Sequence, residues 1–459
     1  MHPEIARLLF RLQEKLLSRD SFAVLSELRR SETWSRQDLH SLQLSRLKTT
    51  LRLAYQHTPY WRRLMDDFDI HPGDIHSLSD LKNFPSLCKR LIRLQREKMV
   101  WKEASARVQL VRTSGSTNEA LEFYTSASRE AHINAARMRG HEWVGIRRGE
   151  KELYYWGSPI ELNKQDRVKR LRDWLINDGL TNGFEITPQR LRDNFEFWLK
   201  WQPRCMFGYV STFVLTVMMG QALGIDLREL KSRGLKVIVT TSELLSDVDR
   251  KLISDAFGVP VYDSYGLREA GLISHECEYG TMHCTDEQII LETVDPKTHE
   301  PVDGEGELVV TNLVGHAFPV IRYATGDIVT LSQELCACGR TLSQVKISGG
   351  RAVEFIVTKA GKWVGGVTFM YVARAIPGIV KFQAYQEQIG EIVFRLVVDQ
   401  QFPDDGVEEV LRQVQQRIEG DDRIIVEIVE DIKPAPSGKY RPVISKVALE
   451  MFRNRDFSA

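Results

Sequence analysis

From residue 106 to about 330 the chain repeats one pattern: a short apolar run, a small polar turn, then a helical stretch. Leu153-Tyr154-Tyr155-Trp156, Met206-Phe207-Gly208-Tyr209-Val210, Leu235-Lys236-Val237-Ile238-Val239-Thr240-Thr241 and Val259-Pro260-Val261-Tyr262 are the runs. Each has the length of a buried strand, and between two of them lies the apolar helix Val214-Leu215-Thr216-Val217-Met218-Met219. Strands alternating with helices predict an α/β fold with mainly parallel sheets covered on both faces. Such sheets bind ligands beyond the carboxyl ends of their strands. The loops Gly157-Ser158, Gly208-Tyr209, Thr241-Ser242-Glu243 and Asp263-Ser264-Tyr265-Gly266 are therefore where a site is expected.

The flanks differ from this core. Residues 1–105 read as a helical region of the same large domain, with amphipathic runs at Ile5 to Leu12 and Leu47 to Tyr55 and a break at His57-Thr58-Pro59. Ser79-Asp80-Leu81 reads as the cap of one more short helix. Residues 106–349 form the expected ligand-binding core of the large domain. After Gly349-Gly350, a candidate hinge, residues 350–459 alternate strands (Val380 to Tyr385, Ile392 to Val398, Ile424 to Val429) with a helix, Gly406 to Ile418. That is a small, mobile C-terminal α+β domain.

Composition narrows the partners. The 62 basic and 62 acidic residues of this 459-residue chain cancel, which removes the electrostatic footprint of a nucleic-acid or anionic-membrane binder. The N-terminus shows no signal-peptide pattern and no apolar run approaches about 20 residues, so a cytoplasmic protein with a small-molecule substrate is expected.

Four stretches carry chemistry. Thr113-Ser114-Gly115-Ser116-Thr117 places four hydroxyls and a glycine between Val108-Gln109-Leu110-Val111 and Leu121-Glu122-Phe123-Tyr124. Such a turn can aim backbone N–H groups and hydroxyls into one concavity and hold a polyphosphate, without the lysine of a Walker A loop; solvated loops of the same composition are common. Tyr265-Gly266-Leu267-Arg268-Glu269 sets a carboxylate behind a strand end, where it can hold Mg²⁺ against phosphate oxygens or merely complement a helix dipole. Asp327, in Arg322-Tyr323-Ala324-Thr325-Gly326-Asp327, can accept both hydroxyls of a ribose, although Thr-Gly-Asp is also an ordinary turn. Lys439 lies in Pro434-Ala435-Pro436-Ser437-Gly438-Lys439, where it is a surface charge unless domain rotation brings it to phosphate.

In this order and with this spacing, the motifs resemble the acyl-adenylate-forming superfamily, most closely its phenylacetate-CoA ligase branch with the capsular-polysaccharide-type members. The resemblance runs from about residue 45 to 450. It implies that Thr113, Ser114, Gly115, Ser116 and Thr117 contact the β- and γ-phosphates of ATP and that Glu269 binds Mg²⁺. Asp327 would hold the ribose, Arg351 the ribose or a phosphate, and Lys439 would catalyse adenylation. Asp263, Ser264, Tyr265 and Gly266 would line the adenine and acyl pocket, with Glu243 nearby. The chain departs from the pattern at Asn118-Glu119, where a glycine and often a cation are usual, and at Ala352-Val353, where an acidic pair is common. Arg268 stands where a Ser or Thr usually precedes the glutamate, and it can replace the missing cation.

Cysteines supply a separate test. Cys277, His283, Cys336 and Cys338 make a Cys₃His set suited to structural zinc, with Cys284 as the alternative to His283 and buried thiols as the bland reading. Some proteins of the resembled branch carry a metal at matching positions.

These readings predict an AMP-forming ligase. ATP activates a carboxylic acid, aryl or arylacetic in type, to an acyl-adenylate with loss of pyrophosphate. The acyl group then passes to CoA. One rival keeps the adenylate and transfers to an amine or hydroxyl. Another, motivated by Asn118-Glu119, is a nucleotide-binding protein with degraded catalysis. A homodimer is allowed by the resemblance. Tyr155, Trp156, Tyr209 and Tyr265 are aromatic candidates for the acyl pocket, although aromatics near a sheet are more often core.

Overall fold

The computed structural model describes residues 1–104, 107–112, 121–156, 167–183, 188–296, 298–351, 355–360, 363–418, 420–433 and 441–453. Helices lead the chain. Arg36–His57 is capped by Ser35, whose hydroxyl accepts from Asp38 N–H, and it stops at His57 because Thr58 precedes a proline. A residue before proline is driven out of the helical region, and Thr58 is extended at φ −123°, ψ 116°. Pro59 then starts the helix Pro59–Asp67, which buries Trp61 and bonds its indole N–H to the Pro319 carbonyl at 3.1 Å. Asp80 does cap a helix, the short Leu78–Asn83, but in partnership with Ser77.

The first strands, β1 (Gln109–Arg112) and β2 (Glu122–Thr125), pair antiparallel on either side of residues 113–120. Eleven strands then make one sheet. In chain order they are β3 (Glu152–Trp156), β4 (Asp178–Asn182), β5 (Cys205–Tyr209), β6 (Val237–Thr241), β7 (Val261–Leu267) and β8 (Gly271–Glu276). There follow β9 (Met282–Cys284), β10 (Ile289–Val294), β11 (Glu305–Asn312), β12 (Tyr323–Ser332) and β13 (Gln344–Arg351). Their order across the sheet is β10-β11-β12-β13-β9-β8-β7-β6-β5-β3-β4.

The α/β class is as expected, and the sheet is mixed. Strands β4, β3, β5, β6 and β7 are parallel. From β7 onward every pair is antiparallel. The reason lies in the connections: helices such as Val210–Ala222 and Asp247–Phe257 separate the parallel strands, whereas short turns join most of the later ones. In the parallel half Gly208 lets β5 close on β3, since a Cβ there would stand 2.5 Å from the Tyr155 carbonyl oxygen. Tyr155 is core, wholly buried against Trp198 and Phe213.

The C-terminal residues hold a hairpin, β14 (Phe355–Val357) with β15 (Trp363–Gly365), and a second sheet. That sheet contains β16 (Ile379–Gln386), β17 (Glu391–Val398), β18 (Arg423–Ile428) and β19 (Val443–Ser445), in the order β18-β17-β16-β19. Helices Gly366–Ala375 and Gly406–Ile418 cover it, and its core includes Phe369, Phe394, Val410 and Val443. Gly349 and Gly350 lie at the end of β13. Among the described residues no helix is long and apolar enough to cross a membrane.

Candidate active site

Strand β7 runs further than the sequence suggests. Asp263, Ser264, Tyr265 and Gly266 belong to the strand, with a bulge between Tyr265 and Gly266, and the turn begins only at Arg268. Gly266 is required by a close approach, because a Cβ would sit 2.9 Å from the Gly271 carbonyl oxygen. Asp263 is buried, accepts from the Thr240 hydroxyl at 2.8 Å, and lies near Glu276, which takes its backbone N–H at 2.7 Å. Burial pushes its carboxyl up to about 7, with the Glu276 charge adding to the effect. Glu243 is half-buried in the loop after β6, where Ser242 adopts a left-handed φ of 66°.

Two tyrosines connect the predicted carboxylates. Tyr265 donates to Asp327 Oδ2, and Tyr323 donates to Glu269 Oε1 at 2.7 Å. Strands β7 and β12 are separated by β8, β9 and β13 in the sheet, so these contacts show that the antiparallel half folds over to face β7. The four side chains are each at most 9% exposed, and together they form one buried, hydrogen-bonded patch. Arg351 stands opposite Asp327 in the β12–β13 register, across a bulge.

Arg129 is a residue that sequence reasoning missed. It lies in the first turn of Ala127–Trp143, capped by Ser126. Its buried guanidinium donates to the Arg268 carbonyl at 2.6 Å and to the Thr125 hydroxyl at 3.4 Å. Burial lowers its pKa, and the nearby Glu130 and Glu269 charges oppose that shift. It thus fastens β2 of the β1–β2 pair to the turn that carries Glu269. The Arg268 side chain itself is exposed. An arginine three residues after Ser126 gives no periodic or spacing signal, and only the fold brings it to Glu269. Thr113, Ser114, Gly115, Ser116, Thr117, the Asn118-Glu119 departure, the Gly157-Ser158 loop and Lys439 lie outside the described residues. Trp156 and Tyr209, on neighbouring strands, stack with ring centroids 4.5 Å apart.

The metal set comes together at a second place. Ligand atoms of Cys277, His283, Cys336 and Cys338 all lie within 4.8 Å of one another. Cys277 and Cys336 sulfurs are 3.8 Å apart, and His283 Nε2 is 3.1 Å from Cys338 Sγ. Tetrahedral zinc with ordinary Zn–S bonds sets sulfurs about 3.8 Å apart, so the donor set fits. His283 Nδ1 is directed at the Leu342 carbonyl at 3.3 Å, a second contact that orients the ring. Burial lowers the imidazole to about 4 and raises the Cys277 thiol to about 12. Strand alternation decides between the candidates: His283 faces the cluster, and Cys284 points the other way into the main core.

A large mixed sheet that switches from parallel to antiparallel pairing, followed by a small C-terminal α+β region, is the fold of adenylate-forming ligases. The solved structure of 2-hydroxyisobutyryl-CoA ligase in the postadenylation state in complex with R3-HIB-AMP matches this fold with a TM-score of 0.75 at 19% identity, covering 94% of each chain. Residues 356–446 match the CapK C-terminal domain family. Phenylacetate-coenzyme A ligase of Escherichia coli is 30% identical over 347 residues, 72% of this chain and 74% of that one. Protein CapK of Staphylococcus aureus is 22% identical over 420 residues, 89% of this chain and 90% of CapK. The chain belongs to the phenylacetate-CoA ligase branch of the acyl-adenylate-forming superfamily, and it is an AMP-forming ligase.

Proposed function

We propose that the protein activates a carboxylic acid with ATP, releases pyrophosphate, and passes the acyl group from the adenylate to CoA. The observation that carries this reading is the buried patch in which Tyr265–Asp327 and Tyr323–Glu269 bring a ribose-type and a metal-type carboxylate together. Asp327 and Arg351 would hold the ribose. Asp263, Ser264, Tyr265 and Gly266, with Glu243 beside them, would line the adenine and acyl pocket, and the stacked Trp156 and Tyr209 would form an apolar wall. Glu269 would hold Mg²⁺, which when bound neutralises charge on phosphate oxygens. Residues Thr113 to Thr117 would cradle the polyphosphate, with Arg268 supplying the cation absent from the loop.

The carboxylate oxygen attacks the α-phosphorus, the bond to pyrophosphate breaks, and Lys439 stabilises the charge that develops. Residues 350–459 would then turn about Gly349-Gly350 as a unit, withdraw Lys439 and admit the acceptor. Likeness to CapK over most of the chain favours a second reading, in which the adenylate meets an amine or hydroxyl. ATP–pyrophosphate exchange across a panel of carboxylic acids, with each active acid then assayed for AMP release with and without CoA, separates the two. Lys439→Ala is expected to reduce exchange by at least about a hundredfold while ATP binding persists; exchange at the native rate would remove the lysine from the mechanism.

A further inference from the structure

We infer that Tyr323 is a positioning residue for the Glu269 carboxylate, and that the N-terminal helical region acts on the cation site through it. The inference rests on the reading of Glu269 as the Mg²⁺ ligand. Tyr323 is wholly buried, and its hydroxyl donates to Glu269 Oε1 at 2.7 Å. A carboxylate has about four lone-pair sites, so a neutral donor at one of them can orient it and leave other sites for a cation.

The tyrosine is itself held in an unusual way. The preceding residue, Arg322, has a left-handed φ of 47°, a conformation that costs a non-glycine residue about 1 kcal/mol or more and persists only where its surroundings impose it. Those surroundings are the segment before the Lys89–Met99 helix. The buried Arg322 guanidinium donates to the Phe84 carbonyl at 2.5 Å and the Lys82 carbonyl at 3.2 Å, and pairs with Glu292 at 3.2 Å. Leu87 then brackets Tyr323: its N–H donates to the Arg322 carbonyl at 2.8 Å, and its carbonyl accepts from Ala324 N–H at 2.9 Å. Residues 82–87 therefore grip the chain on both sides of Tyr323 and set its ring towards Glu269. Arg129 fastens the other side of the same turn by holding the Arg268 carbonyl.

The test is calorimetric titration of Mg²⁺ into the full-length protein bound to a non-hydrolysable ATP analogue with a methylene α,β-bridge. Tyr323→Phe removes one oxygen atom and leaves the ring, so the fold is retained, which thermal unfolding checks. Its Mg²⁺ affinity is expected to fall roughly tenfold, the size of one lost hydrogen bond to a charged group, with analogue binding in the absence of metal unchanged. Glu269→Gln, measured alongside, is expected to abolish the metal-dependent component. If Glu269→Gln binds Mg²⁺ as the native protein does, the assignment of Glu269 fails. If Glu269→Gln loses the metal while Tyr323→Phe keeps native affinity, with or without a lowered unfolding temperature, the tyrosine is only a packing residue and the inference is overturned.

Discussion

Asp263 shows how strongly a single position here depends on its surroundings. Its carboxyl is raised to about 7 because it is buried, with Glu276 close by. An unfolded aspartate titrates near 4, so the folded state binds this proton more tightly than the unfolded state. The sign follows: the stabilising contribution is complete below about pH 4 and is lost as pH rises to about 7. Asp263→Asn is neutral throughout and can still accept from Thr240. It is expected to flatten that part of the stability profile and to exceed the native protein by up to roughly 4 kcal/mol at pH 8. Urea unfolding at pH 5 and pH 8 reads this directly; equal pH dependence in both proteins would show that Asp263 is ionised in the fold at neutral pH.

At the scale of elements, legibility followed local pattern. Four of the parallel strands were readable because stretches such as Met206 to Val210 and Val237 to Thr241 are short apolar runs between helices, whereas the polar β4, Asp178–Asn182, was not named; β16, β17, β18 and the Gly406–Ile418 helix followed clear alternation or amphipathic spacing. In the antiparallel half most strands pair with their sequence neighbours, but the β9–β13 pairing that joins β10–β13 to the rest of the sheet is non-local and leaves no period in the sequence. Glu269, Asp327 and the Cys₃His set could be singled out as candidates from motif and spacing, but Tyr323 and Arg129 became visible only through contacts between distant segments. Thr285-Asp286-Glu287-Gln288 is a polar run between strands that was not singled out from the sequence, and all four residues are at most 5% exposed. Glu287 accepts from Arg139 at 2.6 Å and from the Ser31 hydroxyl at 2.6 Å, tying the Ser21–Ser31 and Ala127–Trp143 helices to the sheet. Breaking one side of a buried pair leaves a charge without compensation, so Glu287→Gln is expected to cost about 3–5 kcal/mol of stability. A change under about 1 kcal/mol in the urea midpoint analysis would mean that water or another group takes over Arg139.

Across the whole molecule the Cys₃His cluster is a knot joining parts that are far apart in sequence. Cys277 and His283 bracket the β8–β9 turn, while Cys336 and Cys338 come from the β12–β13 connection. The residues after them reach the N-terminal helices: Thr341 donates its N–H to the Glu32 carbonyl at 3.0 Å and its hydroxyl to the Trp34 carbonyl at 2.6 Å. Arg340 pairs with Glu278 at 2.8 Å, and its guanidinium sits 4.6 Å over the Trp143 ring. Four protein ligands close a zinc shell, which assigns such a site to structure and leaves no position for substrate. The carboxylates of the candidate active-site patch are not among these four residues. Replacing both Cys336 and Cys338 with serine is therefore expected to remove one zinc per chain by elemental analysis and to lower the unfolding temperature by several degrees. Exchange of ATP with pyrophosphate at 25 °C should stay within about twofold of native, because the ligands of a closed site do no chemistry. Native protein that carries no zinc after purification without chelators, and a serine variant of unchanged unfolding temperature, would instead identify the four residues as a packed cluster of thiols around a neutral histidine.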